Sequence, residues 1–357
     1  MRVRIDRARP LHHGAEGGHN RWAPDLEPAV RVADGAELTL ELRDARDGQL
    51  TSDSSHRDLL EIEDVTHPLT GPVYVEGAEP GDVLEVEILG FETDDFAWTA
   101  IWPGSGVLGD LFDEPYLVTW ELREGVARSA ALPGVAVEGH PFAGVIGVAP
   151  SPELLREQDA RERVLADTGA HVELPSDRAA APPEAAGHGL RTIPPRENGG
   201  NLDVRDLVAG SRLLLPVFVP GALLSIGDLH FAQGDGEVCI SAIETGGAVS
   251  VRVSVEKGGW RPRFPAWESP PRPGRRMFAT TGIPLDDDGR NADMDLNLAA
   301  RRALIEMLDW LTGARGLERQ AAYVLMSAAV ELRISQAVNP PNRLVSAALP
   351  LDVFEDD

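Results

Sequence analysis

Residues 212–257 read RLLLPVFVPGALLSIGDLHFAQGDGEVCISAIETGGAVSVRVSVEK, and the fold turns on how they are taken. Apolar and β-branched side chains run through the stretch, and Gly and Pro punctuate it, which is strand grammar. Its middle, GDLHFAQGDGEVCISAIE (227–244), alternates like two strands around a Gly-Asp-Gly turn. The same segment carries His230, Gln233, Asp235, Glu237 and Glu244. A surface hairpin has no need of a histidine and three carboxylates in so short a span, whereas the lining of a pocket does.

Working outward, the first 150 residues also read as β-structure. AELTLELRD (36–44) and GDVLEVEILGFE (81–92) alternate apolar with polar residues, and GPVYVEGAEPGD (71–82) is a strand running into a Pro-Gly turn. PFAGVIGVAPS (141–151) is a continuous apolar run broken by glycine, suiting a buried strand approached closely by another backbone. Residues 151–190 differ: a polar helix over SPELLREQDARERVLADTG gives way to the Pro/Ala/Gly-rich LPSDRAAAPPEAAGHG, an insertion or connector outside the core. Beyond 257, a loop rich in Trp, Pro and Arg (258–292) precedes helices at 295–313 and 317–332 and a closing strand in NRLVSAALPLDVFEDD. The first of these helices has an acidic start and a Gly stop, and places Leu304, Met307, Leu308 and Leu311 on one face. The expected fold is mainly β, a sandwich-like body with a small α+β C-terminal portion. Its regions are 1–150 (N-terminal β), 151–190 (insertion), 191–257 (second β region, carrying the site motifs) and 258–357 (loop and helices). VEGAEPGDVLEV (75–86) and VPGALLSIGDLHF (219–231) echo one another, which raises a duplicated β unit.

Composition excludes several functions. A formal charge of −25 argues against a nucleic-acid partner, which needs a basic stripe. No apolar run approaches the length of a membrane span, and the start lacks the apolar core of a secretory signal, so a cytoplasmic setting without a membrane partner is expected. The single cysteine, Cys239, excludes an intrachain disulfide and a cysteine-based zinc cluster, and its alternating neighbours read as a strand.

Covalent hydrolytic chemistries also fall away. Lys257 is the only lysine and lies far along the chain from Cys239, against a cysteine-based amidase. No G-x-S-x-G elbow, H-E-x-x-H helix or phosphate-binding loop is present. What remains is a carboxylate and histidine constellation of the kind that holds a divalent ion and acidifies a bound water. By spacing alone, solvated turn acids explain the same pattern.

Longer segments narrow the choice. PPRENGGNLDVRDL (194–207) followed by LPVFVPGALLSIGDLHFAQGDGEVCISAIE (215–244) resembles the acetamidase/formamidase family. So do HNRWAPDLEPAVRVADG (19–35), HPLTGPVYVEGAEPGDVLEVEI (67–88), GVIGVAP (144–150) and ELRISQAVNPPN (331–342), in the family's order. The Asn-Arg-Trp near the start and PPRENGGN look closer to the formamidase branch. The resemblance implies hydrolysis of a small linear amide to ammonia and a carboxylate, a bound divalent metal (zinc ahead of calcium) and a homo-oligomer.

On motif-matching positions, Asp203, His230 and Asp58 are the candidate metal ligands, with Asp228 orienting His230 from behind. Glu76 and Glu244 are the candidate proton carriers, since a dry pocket would raise their pKa toward neutrality. Asn198, Asn201 and Gln233 are the candidate substrate-binding residues, because a side-chain amide matches both donor and acceptor of a carboxamide. His67 reads as structural. The chain departs from the family pattern at Asn198, where some relatives carry histidine, and at Glu331 and Asn339, where aspartate is expected. Two other functions stay open: hydrolysis of a larger or cyclic amide, motivated by the 152–190 insertion, and binding of a small molecule without chemistry.

Overall fold

The stretch 212–257 supplies the centre of the molecule: strands Arg212–Pro216, Leu224–Ala232 and Ile243–Glu256. The computed structural model describes residues 1–354 apart from 15, 107, 271–275, 318, 320, 321 and 323–329. Leu224–Ala232 is buried at every position, and both its hydrogen-bonding edges are taken. Phe142–Gly147 lies antiparallel along one edge, from Phe142 opposite His230 to Gly147 opposite Ser225. The other edge is shared between Leu69–Val75, opposite Leu224–Gly227, and Ile243–Glu256, with His230 facing Glu244. A strand covered on both faces loses its alternation and reads as a nearly continuous apolar run.

Ile243–Glu256 pairs in turn with Glu37–Leu42 and with the long strand Val83–Ile101. Register shifts between Thr245 and Gly247 and between Ser250 and Val251 bend it between these partners. Among the described residues, 18 strands join one hydrogen-bonded network. The mainly β expectation therefore holds. The two echoing segments lie side by side, tied by Val75 N–H to the Gly221 carbonyl (2.9 Å) and Gly221 N–H to the Ala78 carbonyl (2.8 Å). At the C-terminal end, helix Leu296–Gly313 is capped by Asp295 and buries Met307 and Leu311 against Phe278, Val345 and Leu349. No helix among the described residues is long and apolar enough to cross a membrane.

Several expectations change. The expected turn at Gly234–Gly236 is instead a loop from 233 to 242, half-buried at Cys239, so this cysteine is not a strand residue. The loop arises because Glu237 is drawn into the interior, out of strand alternation, with φ +48°. The region 258–292 contains strands Ala266–Glu268 and Met277–Gly282 that its prolines disguised. The helix expected at 317–332 falls mostly outside the described residues, and Glu331 opens strand Glu331–Gln336.

The connector helix, Pro152–Ala166, is no excursion from the core. Gln158 and Glu162 are fully buried on it. Glu162 receives both arms of the Arg196 guanidinium (2.6 and 2.8 Å), and Arg161 clasps Glu197 in the same way (2.6 and 2.8 Å). Bidentate pairs satisfy buried charge that would otherwise exclude such a helix from the interior.

Candidate active site

Residues two apart on a strand share a face, so Asp228 and His230 project together from Leu224–Ala232. His230 Nε2 lies 3.3 Å from Asp228 Oδ2 and 3.2 Å from Glu244 Oε2, the latter from the residue directly across the ladder. Asp203 arrives from the other neighbouring strand. The segment Gly199–Asn201 pairs with Phe142–Gly147, and the Gly144 carbonyl then accepts from both the Leu202 and Asp203 amides (2.9 and 3.2 Å). Glu237 reaches in from the 233–242 loop. Donor atoms of Asp203, Asp228 and His230 lie within 4.8 Å of one another, as do those of His230, Glu237 and Glu244. All five residues are buried.

The backbone is bent to deliver these acids. Asp203, Asp228 and Glu237 all have positive φ (+48°, +58° and +48°), a region that costs a non-glycine residue energy and concentrates at functional sites. Gly144 forms the floor. A Cβ there would stand 2.5 Å from Asp203 Oδ1, 2.8 Å from Asp228 Oδ2 and 2.8 Å from His230 Cε1.

Burial and mutual repulsion set the protonation of the cluster. Desolvation raises Asp203 to about 8, with Asp228 and Glu244 adding to it against the pull of His230. Glu244 is raised by desolvation to about 7, with His230 opposing and Asp228 reinforcing. Glu237 is raised well above the carboxylate range by desolvation and then by Asp203. Desolvation would lower His230, but Glu244 and Asp228 outweigh it and hold the imidazole well above its ordinary value. Asp228 goes the other way: against desolvation, His230 and His67 keep it below its ordinary range.

The cluster opens onto a cavity of about 250 Å³, lined also by Arg46, His67, Trp98, Trp102, Asn201 and Asn339. From the connector, His171 and Glu173 reach the same lining. Asn339 donates to Asp203 Oδ2 (2.6 Å), so the amide standing where aspartate was expected steadies the cluster without adding a fifth carboxyl group. His67, read as structural from sequence, has Nε2 3.9 Å from Asp228 Oδ2, and desolvation lowers it to about 4.

The cluster also fits a divalent cation. Asp203 Oδ1, Asp228 Oδ1 and His230 Nδ1 are buried without a hydrogen-bond partner, and Glu244 Oε2 meets only the His230 Nε2 ion-pair contact at 3.2 Å. Leaving so many strong polar atoms dry and unpaired is costly unless something binds them. Carboxylate oxygens with one imidazole form a donor set that divalent ions accept.

The sequence-derived residues divide cleanly. Asp228, Glu244 and Asn201 line this cavity, and Asp203 and His230 stand in the donor cluster with Asp228 and Glu244. Asp228 is a member of the donor cluster itself, not a support behind it. Gln233 instead lines a neighbouring cavity of about 370 Å³ and donates to the Asp203 carbonyl (3.0 Å). Asn198 is spent internally, donating to the Val148 carbonyl (2.8 Å) and accepting from Gln158 (3.2 Å). Asp58 is a correction: its carboxylate caps the short helix His56–Leu60, accepting from Ser55 N–H (2.5 Å). Glu76 is another, exposed in the turn after Leu69–Val75 and outside the cavity lining. Glu237, Arg46 and His67 were missed as site residues. Only Glu237 carried a signal, as one of the acids crowding the opening segment.

Comparison with known proteins agrees with this architecture. The acetamidase/formamidase family matches residues 4–356. The chain is 36% identical to a formamidase of Methylophilus methylotrophus over 95% of this chain and 90% of that protein. It is 34% identical to an acetamidase of Mycolicibacterium smegmatis over 92% of this chain and 89% of that one. Among solved structures, a gamma lactamase from Delftia acidovorans superposes with a TM-score of 0.73 at 34% identity, covering 99% of this chain and 94% of that one.

Proposed function

The chain belongs to the acetamidase/formamidase family, and from that premise we propose that it hydrolyses the C–N bond of small linear amides, formamide or acetamide in kind, to ammonia and a carboxylate. The observation that carries the reading is a buried donor cluster with unpartnered atoms on Asp203, Asp228 and His230, which meets one small cavity through Asp228, Glu237 and Glu244.

An amide resists water because resonance protects its carbonyl and ammonia leaves poorly. A competent site must polarise the carbonyl, take a proton from water and return one to nitrogen. Asp203, Asp228 and His230, with Glu237 and Glu244 beside them, would hold a divalent metal, zinc ahead of calcium because an imidazole joins the oxygens. When bound, the ion supplies Lewis acidity to the carbonyl and to water. Glu244 would carry the proton in this reading, accepting it from the attacking water and passing it to the departing nitrogen. Asn201 orients the substrate: its Nδ2 donates to the Ile193 carbonyl (3.0 Å), leaving a buried, unpartnered Oδ1 to accept from the amide NH₂. Oxygen from water ends on carbon; one of its protons completes ammonia, and the other ionises from the new carboxylic acid and converts the ammonia to ammonium at neutral pH.

The test is ammonia release from formamide, acetamide and longer amides before and after chelation, with elemental analysis of the untreated protein. Turnover that falls on chelation, with stoichiometric divalent metal, supports the reading, and absence of turnover on every short amide overturns it. A cyclic amide is the second reading. It is favoured by the likeness to the gamma lactamase and by His171 and Glu173, which bring the connector into the cavity lining. A competition panel of linear amides against γ-lactams separates the two. We expect a cytoplasmic homo-oligomer, which sedimentation of the purified protein would check.

A further inference from the structure

Arg46 is the only arginine or lysine among the residues lining the acidic cavity. Its guanidinium lies over the Trp102 ring, 4.6 Å from the centroid, and its one side-chain hydrogen bond among the described residues goes to Thr66 Oγ1. The nearest carboxylate, Asp64, stays 3.7 Å away. Asp64 is committed elsewhere: its Oδ2 accepts from Arg191 at 2.8 Å, and Arg191 precedes Arg46 among the groups that oppose desolvation and hold Asp64 low. The Thr66 hydroxyl, donating to Asp64 Oδ1 (3.2 Å), fixes the guanidinium beside a carboxylate that pairs with it only loosely, while Asp228 and Glu244 of the same lining also act on it. The Arg46 side chain retains about a fifth of its exposure (22%). A guanidinium held by an aromatic face and a hydroxyl, with spare N–H donors, is a fork prepared for a planar anion.

We propose that Arg46 forms an anion subsite in this cavity that binds a short carboxylate through the acyl side of the hydrolysed amide. The inference rests on the amidase reading for the identity of its anion, since hydrolysis converts a neutral acyl group into a carboxylate at this place. Substrate enters neutral and makes modest use of the guanidinium. Product leaves charged, and Arg46 holds it, so the enzyme is inhibited by its own carboxylate product. The subsite also favours amides that carry a carboxylate on the acyl chain over those that carry an ammonium group.

Equilibrium binding of acetate and acetamide to the metal-replete protein, by calorimetry and by the fluorescence of cavity residues Trp98 and Trp102, tests this without requiring turnover. Arg46→Gln is expected to weaken acetate at least about tenfold, and Arg46→Lys, which keeps the charge but loses the fork, at least about threefold. Acetamide affinity should move by less than half as much in either variant. Circular dichroism establishes that each is folded, and if Arg46→Gln is not, Arg46→Lys decides. Acetate that binds both variants as tightly as the parent, or fails to bind the parent up to about 100 mM, overturns the subsite. Arg46-dependent acetate binding in a protein that turns over no amide would leave the subsite standing and remove the amidase reading instead.

Discussion

At Gly144 a single hydrogen stands between the backbone and three members of the cluster. Gly144→Ala should overpack that floor by about 1–3 kcal/mol and push Asp203 and His230 apart. We expect the variant to fold, to lose bound metal by elemental analysis, and to release little ammonia. Glu244→Gln keeps the shape but cannot take a proton, so ammonia release should fall by about 100-fold or more while circular dichroism shows the fold retained. Glu76→Gln is the contrast. Exposed in its turn, it should alter stability by no more than about 0.5 kcal/mol and leave ammonia release as it was. At this scale the sequence was informative where residue types crowd one short segment. Asp228, His230 and Glu244 sit on adjoining strands, so alternation alone brings them together. Asp58 and Glu76 misled because a carboxylate that caps a helix or ends a turn reads the same as one that binds a ligand.

The connector helix shows what periodicity cannot report. Its buried face is polar, and Glu162 and Gln158 look solvated until Arg196 and Glu197 from the following segment are set against them. Burial alone would raise Glu197, but Arg161 brings it down to about 2. Removing one partner strands the other charge, so Glu162→Ala should cost about 3–5 kcal/mol, read from the urea midpoint. Because Arg196 begins the run that ends at Asp203, the same variant should weaken metal retention. The strands were more legible than the helix. Glu37–Leu42 and Phe142–Gly147 fall inside the segments read as strands, and Leu69–Val75 overlaps the one read from 71, since apolar runs and turn residues mark them directly. The 233–242 loop was not legible, because Val238, Ile240 and Ala242 keep a strand-like alternation although the backbone departs from it at Glu237 and Ile240.

For the whole molecule, His19 ties the N-terminal segment to the central strand. Its Nδ1–H donates to the Arg21 carbonyl (2.8 Å), and its Nε2 accepts from Ser225 Oγ (2.7 Å), which requires the neutral ring. Burial lowers it from 6.5 to about 4. Between those values the unfolded chain binds a proton that the folded one refuses, so stability falls as pH drops from 6.5 toward 4, by about 3 kcal/mol in all. Urea midpoints across that range should show the decline, and His19→Gln should flatten part of it. The mainly β character was legible from the sequence, but the way its regions interleave was not. Ile243–Glu256 takes its partners from residues 37–42 and 83–98, and no local pattern announces a neighbour that remote. That interleaving bears on how the chain is made and broken. A nascent polypeptide must wait with one edge of Glu37–Leu42 and much of Val83–Ile101 unpaired until residue 256 has left the ribosome, and a protease that cuts between the two β regions should release no fragment able to stand alone.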